Sequence, residues 1–201
     1  MVLPLYWMTT NVNQILTMDI DPRYHLLALE HIAQLKARYC RYIDTKQWEK
    51  LASVFTQDCR FEGLGSAPAG ADVATFVKGV SARLAPTISV HHVHQPEVVL
   101  TSASTARGVW AMEDFVEWQD GGAVKEAPGA KGFRGYGHYE EEYRREGDTW
   151  KISFLRLTRL RIDPVPLDSS NPRMGSRQAT PDWIEQATAR PPEELLNWST
   201  N

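Results

Sequence analysis

Cysteine is scarce in this chain of 201 residues: only Cys40 and Cys59 are present. Two thiols do not make the disulfide framework that staples small secreted domains, and a reducing cytoplasm suits them. Basic runs are missing too. No stretch of Lys and Arg exceeds two residues and the net charge is −3, whereas a nucleic-acid footprint needs a clustered basic face. Nucleic acid is therefore not an expected partner. Nor is a membrane, because no segment approaches the roughly 20 apolar residues that span a bilayer. The segment Met1–Ile20 is mildly apolar but lacks a basic start and is broken by Asn11, Asn13 and Gln14, so it reads as an arm rather than a signal peptide. The phosphate-cradling glycine motifs, the nucleophile elbow and the HExxH zinc motif are all absent from the sequence, and no cofactor is expected.

What the chain does have is large aromatic side chains, seven Trp and seven Tyr among them, which need burial or a ligand face. It also has a change of periodicity. Asp21-Pro22 suits a helix start. Leu29, Ile32, Ala33, Leu35, Tyr39 and Ile43 then mark one face of a helix ending near Asp44. Trp48, Leu51, Ala52 and Phe55 step as a second helix, with Asp44-x-x-Gln47 resembling a capping box. Residues 59–62 read as a short strand, and Val73, Phe76, Val77, Val80 and Leu84 as a third helix. After Pro86 the period becomes two, giving strands over 87–100, 104–118, 133–146 and 149–162. Residues 123–132 form a Gly- and Ala-rich loop able to cover a pocket mouth. From residue 164 the chain is polar and Pro-rich, with short amphipathic pieces near Trp183-Ile184 and Leu195-Leu196. The expected division is an N-terminal arm (1–20), one domain (21–163) and a C-terminal extension (164–201). Helices followed by a strand meander imply an α+β fold.

Four constellations could carry chemistry. Tyr39 lies on the apolar stripe of the first helix and Asp44 ends it. Both also have ordinary readings, a core tyrosine and a helix cap. His91, His92 and His94 share one strand, His91 on the face of Ser89 and Val93, His92 and His94 on the face of Ile88 and Val90. Imidazole is the natural base near neutral pH. Local periodicity does not decide which face is inside, although Ile88 and Val90 favour the His92 face. His92 and His94 offer two metal donors, but spacing supplies no third and fourth, so no metal site is expected. Trp110, Met112 and Asp114 alternate with Val109, Ala111, Glu113 and Phe115, and one of these faces lines the core. Finally, Tyr139 and Tyr143 share a parity, while Arg156, Arg159 and Arg161 crowd the last strand, where an arginine reaching a cavity could hold an anionic oxygen.

Residues 23–163 resemble the SnoaL-like group of the nuclear transport factor 2-like superfamily. The resemblance rests on LKARYCRYIDTKQWEKLASVFTQDCRFEG, HHVHQPEVV, RGVWAMEDFVEW and GYGHYEEEYRREGDTWKISFLRLTRLR. It implies a cone-shaped α+β barrel, three N-terminal helices packed on a curved, mainly antiparallel sheet, and a homo-oligomer, dimer or trimer, formed through that sheet. Among similar enzymes are cofactor-free lyases: bile acid 7α-dehydratase, hexachlorocyclohexane dehydrochlorinase and scytalone dehydratase. In the first two an Asp at the end of the first helix pairs with a His on the next long strand, positions that Asp44 and His91 match. The bile acid enzyme also has a Tyr five residues before the Asp, as Tyr39 is here. The last-strand arginine best corresponds to Arg159. Where the family often has Asn four residues after the His, this chain has Gln95. The implied activity is a dehydratase-type elimination on a small apolar, cyclic, polyketide- or steroid-like ligand. Its catalytic residues would be Asp44, His91 and Tyr39, and its substrate contacts Arg159, Trp110, Met112 and Tyr139. An isomerase or cyclase using the same base, or a non-catalytic ligand-binding protein, are the alternatives.

Overall fold

The computed structural model describes residues 20–118 and 124–169, together with Ile184. The N-terminal arm before Ile20 and most of the Pro-rich extension, including both expected amphipathic pieces apart from Ile184, lie outside the described residues.

Helix α1 spans Pro22–Asp44. Asp21 caps it by accepting a hydrogen bond from the Arg23 amide, and proline occupies its first turn. It buries Ile32, Leu35, Lys36, Tyr39, Cys40 and Ile43 against the sheet. The C-terminus closes with two backbone bonds, Gln47 N–H to Tyr42 C=O (2.8 Å) and Lys46 N–H to Ile43 C=O (3.1 Å). Lys46 takes the left-handed conformation at φ 59° that this closure requires. Helix α2 is short, Trp48–Ser53, and its N-cap Gln47 makes no side-chain capping bond. The expected capping role of Asp44 is therefore not used: its carboxylate turns away toward His91. Phe55, expected on the α2 stripe, instead begins strand β1 (Phe55–Glu62), four residues earlier than the pattern suggested. Helix α3 (Val73–Leu84) is capped by Asp72 and buries Phe76, Val80 and Leu84.

Four long strands follow: β2 (Thr87–Leu100), β3 (Thr105–Trp118), β4 (Ala130–Glu146) and β5 (Thr149–Pro166). The sheet order is β1-β5-β4-β3-β2, antiparallel except for the parallel β1–β5 pair. Both β4 and β5 outrun the sequence expectation. Pro164 and Pro166 are tolerated in β5 because β1 pairs with it only as far as Arg156, leaving its later edge free of a ladder that needs N–H donors. Bulges bend the strands and reset their parity. One in β2 lies between His94 and Glu97, where Gln95 has φ 43°. Another pairs Glu142 and Tyr143 with Phe154 and Ile152, so Ser153 is extra; beyond it Leu155, Leu157 and Arg159 face inward together.

The helices cover one face of the sheet, and the core between them contains Tyr39, Phe55, Phe61, Phe76, Trp110, Tyr139 and Tyr143. Rings meet edge to face, as in Tyr39 on Tyr139 (5.8 Å between centroids), or stacked, as in Phe61 on Phe76 (4.1 Å). Cys40 and Cys59 are free and buried, and burial pushes both thiols up to about 12, so neither is a reactive thiolate. Among the described residues no helix is long and apolar enough to cross a membrane.

Candidate active site

The site is assembled where the end of α1 meets the start of β2. The α1 closure places the Asp44 side chain against β2, and the carboxylate collects three hydrogen bonds there. His91 Nδ1 lies 2.7 Å from Oδ1, the His91 backbone N–H donates to Oδ2 at 2.8 Å, and Ser89 Oγ donates to Oδ1 at 3.1 Å. Lys46 Nζ in turn donates to Ser89 Oγ at 2.7 Å. These contacts matter because a carboxylate at a helix C-terminus sits at the negative end of the helix dipole. Burial lowers the Lys46 ammonium to about 8, an effect that the Asp44 charge partly opposes. His91 is buried, with 7 % of its side chain exposed, and Asp44 is at 22 %.

Alternation along β2 puts Ser89 and His91 inside and Val90 and His92 outside. The mild sequence preference for the His92 face is thus overturned. Beta-branched residues stand on both faces of β2, and the packing of α1 selects the inner one. On β3 the inward face carries Trp110, Met112, Asp114 and Val116. Asp114 lies directly across from His91 and takes two hydrogen bonds from Arg159, at 2.8 and 2.5 Å. Burial works against the guanidinium charge, but this pairing outweighs it and Arg159 stays raised. Gly135 makes room: a Cβ there would come within 1.9 Å of Arg159 Nη1 and 2.3 Å of Asp114 Oδ1.

His91, Asp114 and Arg159 line a small cavity of about 50 Å³ together with Tyr39, Ile43, Phe76, Val80, Phe133, Tyr139 and Leu157. Burial raises the hydroxyls of Tyr39 and Tyr139 well above their usual value, aided for Tyr39 by the nearby Cys40 and Glu141, so both stay protonated donors. The rim consists of Leu64, Gly65 and Ser66, with Arg83 of α3 ion-paired to Glu126 across it. Of the loop expected over 123–132, Glu126 does line the cavity, residues from Ala130 on already belong to β4, and residue 123 lies outside the described residues. Five of the seven sequence-selected residues therefore meet here: Asp44 behind His91, then Tyr39, Tyr139 and Arg159. Trp110 and Met112 do not. They face inward but stand four and two residues before Asp114 on β3, roughly 14 and 7 Å along the strand. Trp110 instead donates to the Tyr143 hydroxyl at 2.7 Å in the core. Arg156 and Arg161 point outward to Glu140 and Asp163.

One arrangement escaped the sequence reading. Lys36 and Glu141 form a fully buried ion pair beneath the tyrosines, and Tyr143 donates to the other Glu141 oxygen. The Lys36 ammonium lies over the rings of Tyr39 (4.1 Å) and Tyr139 (3.5 Å). The helical phase 32–36–39–43 and the position of Glu141 between two inward tyrosines were the signals available.

Against known proteins, the SnoaL-like domain model matches residues 24–156. The chain belongs to the SnoaL-like family. With it comes membership of the nuclear transport factor 2-like superfamily, whose α+β architecture the sequence pattern had implied. A probable cyclase of Gibberella zeae is 27 % identical over 139 residues, covering 64 % of this chain and 89 % of that protein. The SnoaL-like fold here is shared with hexachlorocyclohexane dehydrochlorinase type 3 of Novosphingobium barchaimii (TM-score 0.60, 20 % identity, 76 % of this chain and 100 % of that one). It is shared equally with a type 2 dehydrochlorinase (TM-score 0.62, 18 % identity, 76 % of this chain and 98 % of that one). At such identity these likenesses establish the fold, and activity has to be argued from the site.

Proposed function

We propose that this SnoaL-like protein is a cofactor-independent lyase that eliminates water or another small group from a small apolar, cyclic substrate. The observation that carries the reading is the 2.7 Å contact between His91 Nδ1 and Asp44 Oδ1 at a cavity wall. With Nδ1–H donating to the carboxylate, Nε2 keeps its lone pair and takes a proton from a carbon beside a carbonyl. Asp44 holds the ring in that tautomer and stabilises the imidazolium that results. The electrons of the broken C–H bond become the new C=C bond, and the leaving group departs with the electrons of its own bond to carbon. Tyr39 and Tyr139, kept protonated by burial, donate to the oxygen on which charge develops. Arg159, already oriented by Asp114, adds positive charge on the same side. Ligand pockets run to about 300 Å³ and more. A ring substrate therefore needs side chains around the 50 Å³ cavity to give way, and the Arg83–Glu126 pair is among those that line it.

The similarity to a probable cyclase favours one second reading, in which the same base works and nothing leaves. Product mass separates the two. Incubation with cyclic β-hydroxy and β-halo ketones, read by mass spectrometry, is expected to show loss of water or hydrogen halide in the wild type and none with His91→Ala. Unchanged mass with altered chromatography would replace the lyase with an isomerase or cyclase. Full turnover by His91→Ala would remove the base on which both readings stand.

A further inference from the structure

On the face of the sheet opposite the cavity, His92, His94 and Glu113 bring three donors together. We infer that they form a binding site for a divalent transition metal of the zinc type. Sequence spacing offered only the two imidazoles. The third donor comes from β3, where Glu113 stands directly across from His92 in the ladder. His92 Nδ1 is 3.3 Å from Glu113 Oε1 and His94 Nε2 is 4.0 Å from the same oxygen. All three donor atoms lie within 4.8 Å of one another. A tetrahedral zinc ion with bonds of about 2.0–2.1 Å holds neighbouring donors roughly 3.3 Å apart. The His92–Glu113 pair already has that spacing, and shifts of about 1 Å in His94 complete the set. Such shifts are open to these side chains, which are 58 %, 53 % and 47 % exposed for His92, His94 and Glu113.

Two further features favour a metal over a solvated cross-strand pair. The ligand set, two imidazoles and one carboxylate on adjacent rigid strands, suits zinc, cobalt, nickel and copper, and leaves coordination positions for water or an outside ligand. Those positions open onto a groove of about 510 Å³ that His92 and Glu113 share with Val90, Phe115, Arg134 and Tyr136. The site does not depend on the proposed elimination chemistry. His91, one residue before His92 on the same strand, points through to the other face.

Isothermal titration of the full chain, free of any histidine tag, with zinc ion tests this. Wild type and His91→Ala are expected to bind one equivalent. The double variant His92→Ala/His94→Ala is expected to lose that equivalent while keeping the wild-type circular dichroism spectrum. Glu113→Gln is expected to bind roughly tenfold more weakly or worse. Cobalt ion supplies an independent readout, since visible absorption bands of a low-coordinate site should appear in wild type and vanish in the double variant. Non-saturable binding, or the same stoichiometry and affinity in the double variant, would overturn the proposal.

Discussion

Strand β2 presents the same side chain to two different worlds. On its inner face, His91 is buried, tied to Asp44 by ring and backbone, and set beside Asp114, Arg159 and two tyrosines whose hydroxyls burial pushes well above their usual value. One residue on, His92 stands in solvent with a carboxylate 3.3 Å away. Composition does not distinguish the two imidazoles; the company each keeps does. Inside, each polar group is held by a second, so that one ring nitrogen is committed and the other is free for chemistry. Outside, loosely paired donors remain free to rearrange around an ion. The comparison turns on fixed against adjustable geometry, and it can be broken at several points.

The largest effect should fall on the inner dyad. His91→Ala or Asp44→Asn is expected to cut turnover by about 10²–10⁴-fold, the usual worth of a positioned acid–base group, with the circular dichroism spectrum preserved. Asp44→Asn should keep part of the hydrogen bonding and lose the charge that stabilises an imidazolium. If either variant kept wild-type rates, the inner face would be no more chemical than the outer.

Next in size is the buried pair under the tyrosines. A fully buried ion pair adds little net stability, yet removing one partner strands the other charge. Lys36→Met should therefore destabilise by about 3–5 kcal/mol, measured by urea unfolding. The double variant Lys36→Met/Glu141→Leu should recover most of that loss. Recovery would show that the pair adds little net stability to the fold.

How much of this was readable beforehand follows from what each signal depends on. The order of elements was legible because the change from period 3.6 to period two is local. Strand ends were not: Phe55 reads as a helix residue until β5 pairs with it, and Pro164 looks like a terminator until the edge beside it proves unpaired. Asp44 and His91 came from family resemblance. Periodicity left the inner face of β2 open and leaned toward His92, because the choice is made by α1, which is remote in sequence. Periodicity left Arg159 as one of three arginines and resemblance singled it out; the bulges at Ser153 and Leu160 set the strand parity that separates it from Arg156 and Arg161. Trp110 and Met112 were on the right face but at the wrong height, since alternation carries no information about depth along a strand.

Lys46 gives a smaller, pH-dependent prediction. Burial lowers its ammonium from 10.5 to about 8 in the folded protein. Between those values the unfolded chain holds the proton that the folded one has released, so stability must rise with pH across that window. Below about 8 both states are charged and the cost of burying the ammonium is fully present. Unfolding midpoints of the wild type should climb between pH 8 and 10.5, and Lys46→Met should flatten that climb. Equal slopes in the two proteins would mean that Lys46 is solvated like a surface lysine.

The smallest effect should come from an imidazole on the outer face. His138 lies on β4 opposite Ala111 and Thr158, half-buried among outward residues and outside the donor cluster. With no buried partner to strand and no cavity to line, His138→Gln is expected to change stability by less than about 0.5 kcal/mol and leave turnover at the wild-type level. Thermal unfolding and rate measurements beside His91→Ala make the contrast direct. Comparable losses in the two variants would mean that the sheet transmits strain between its faces, and that an imidazole's side of the strand does not by itself decide its work.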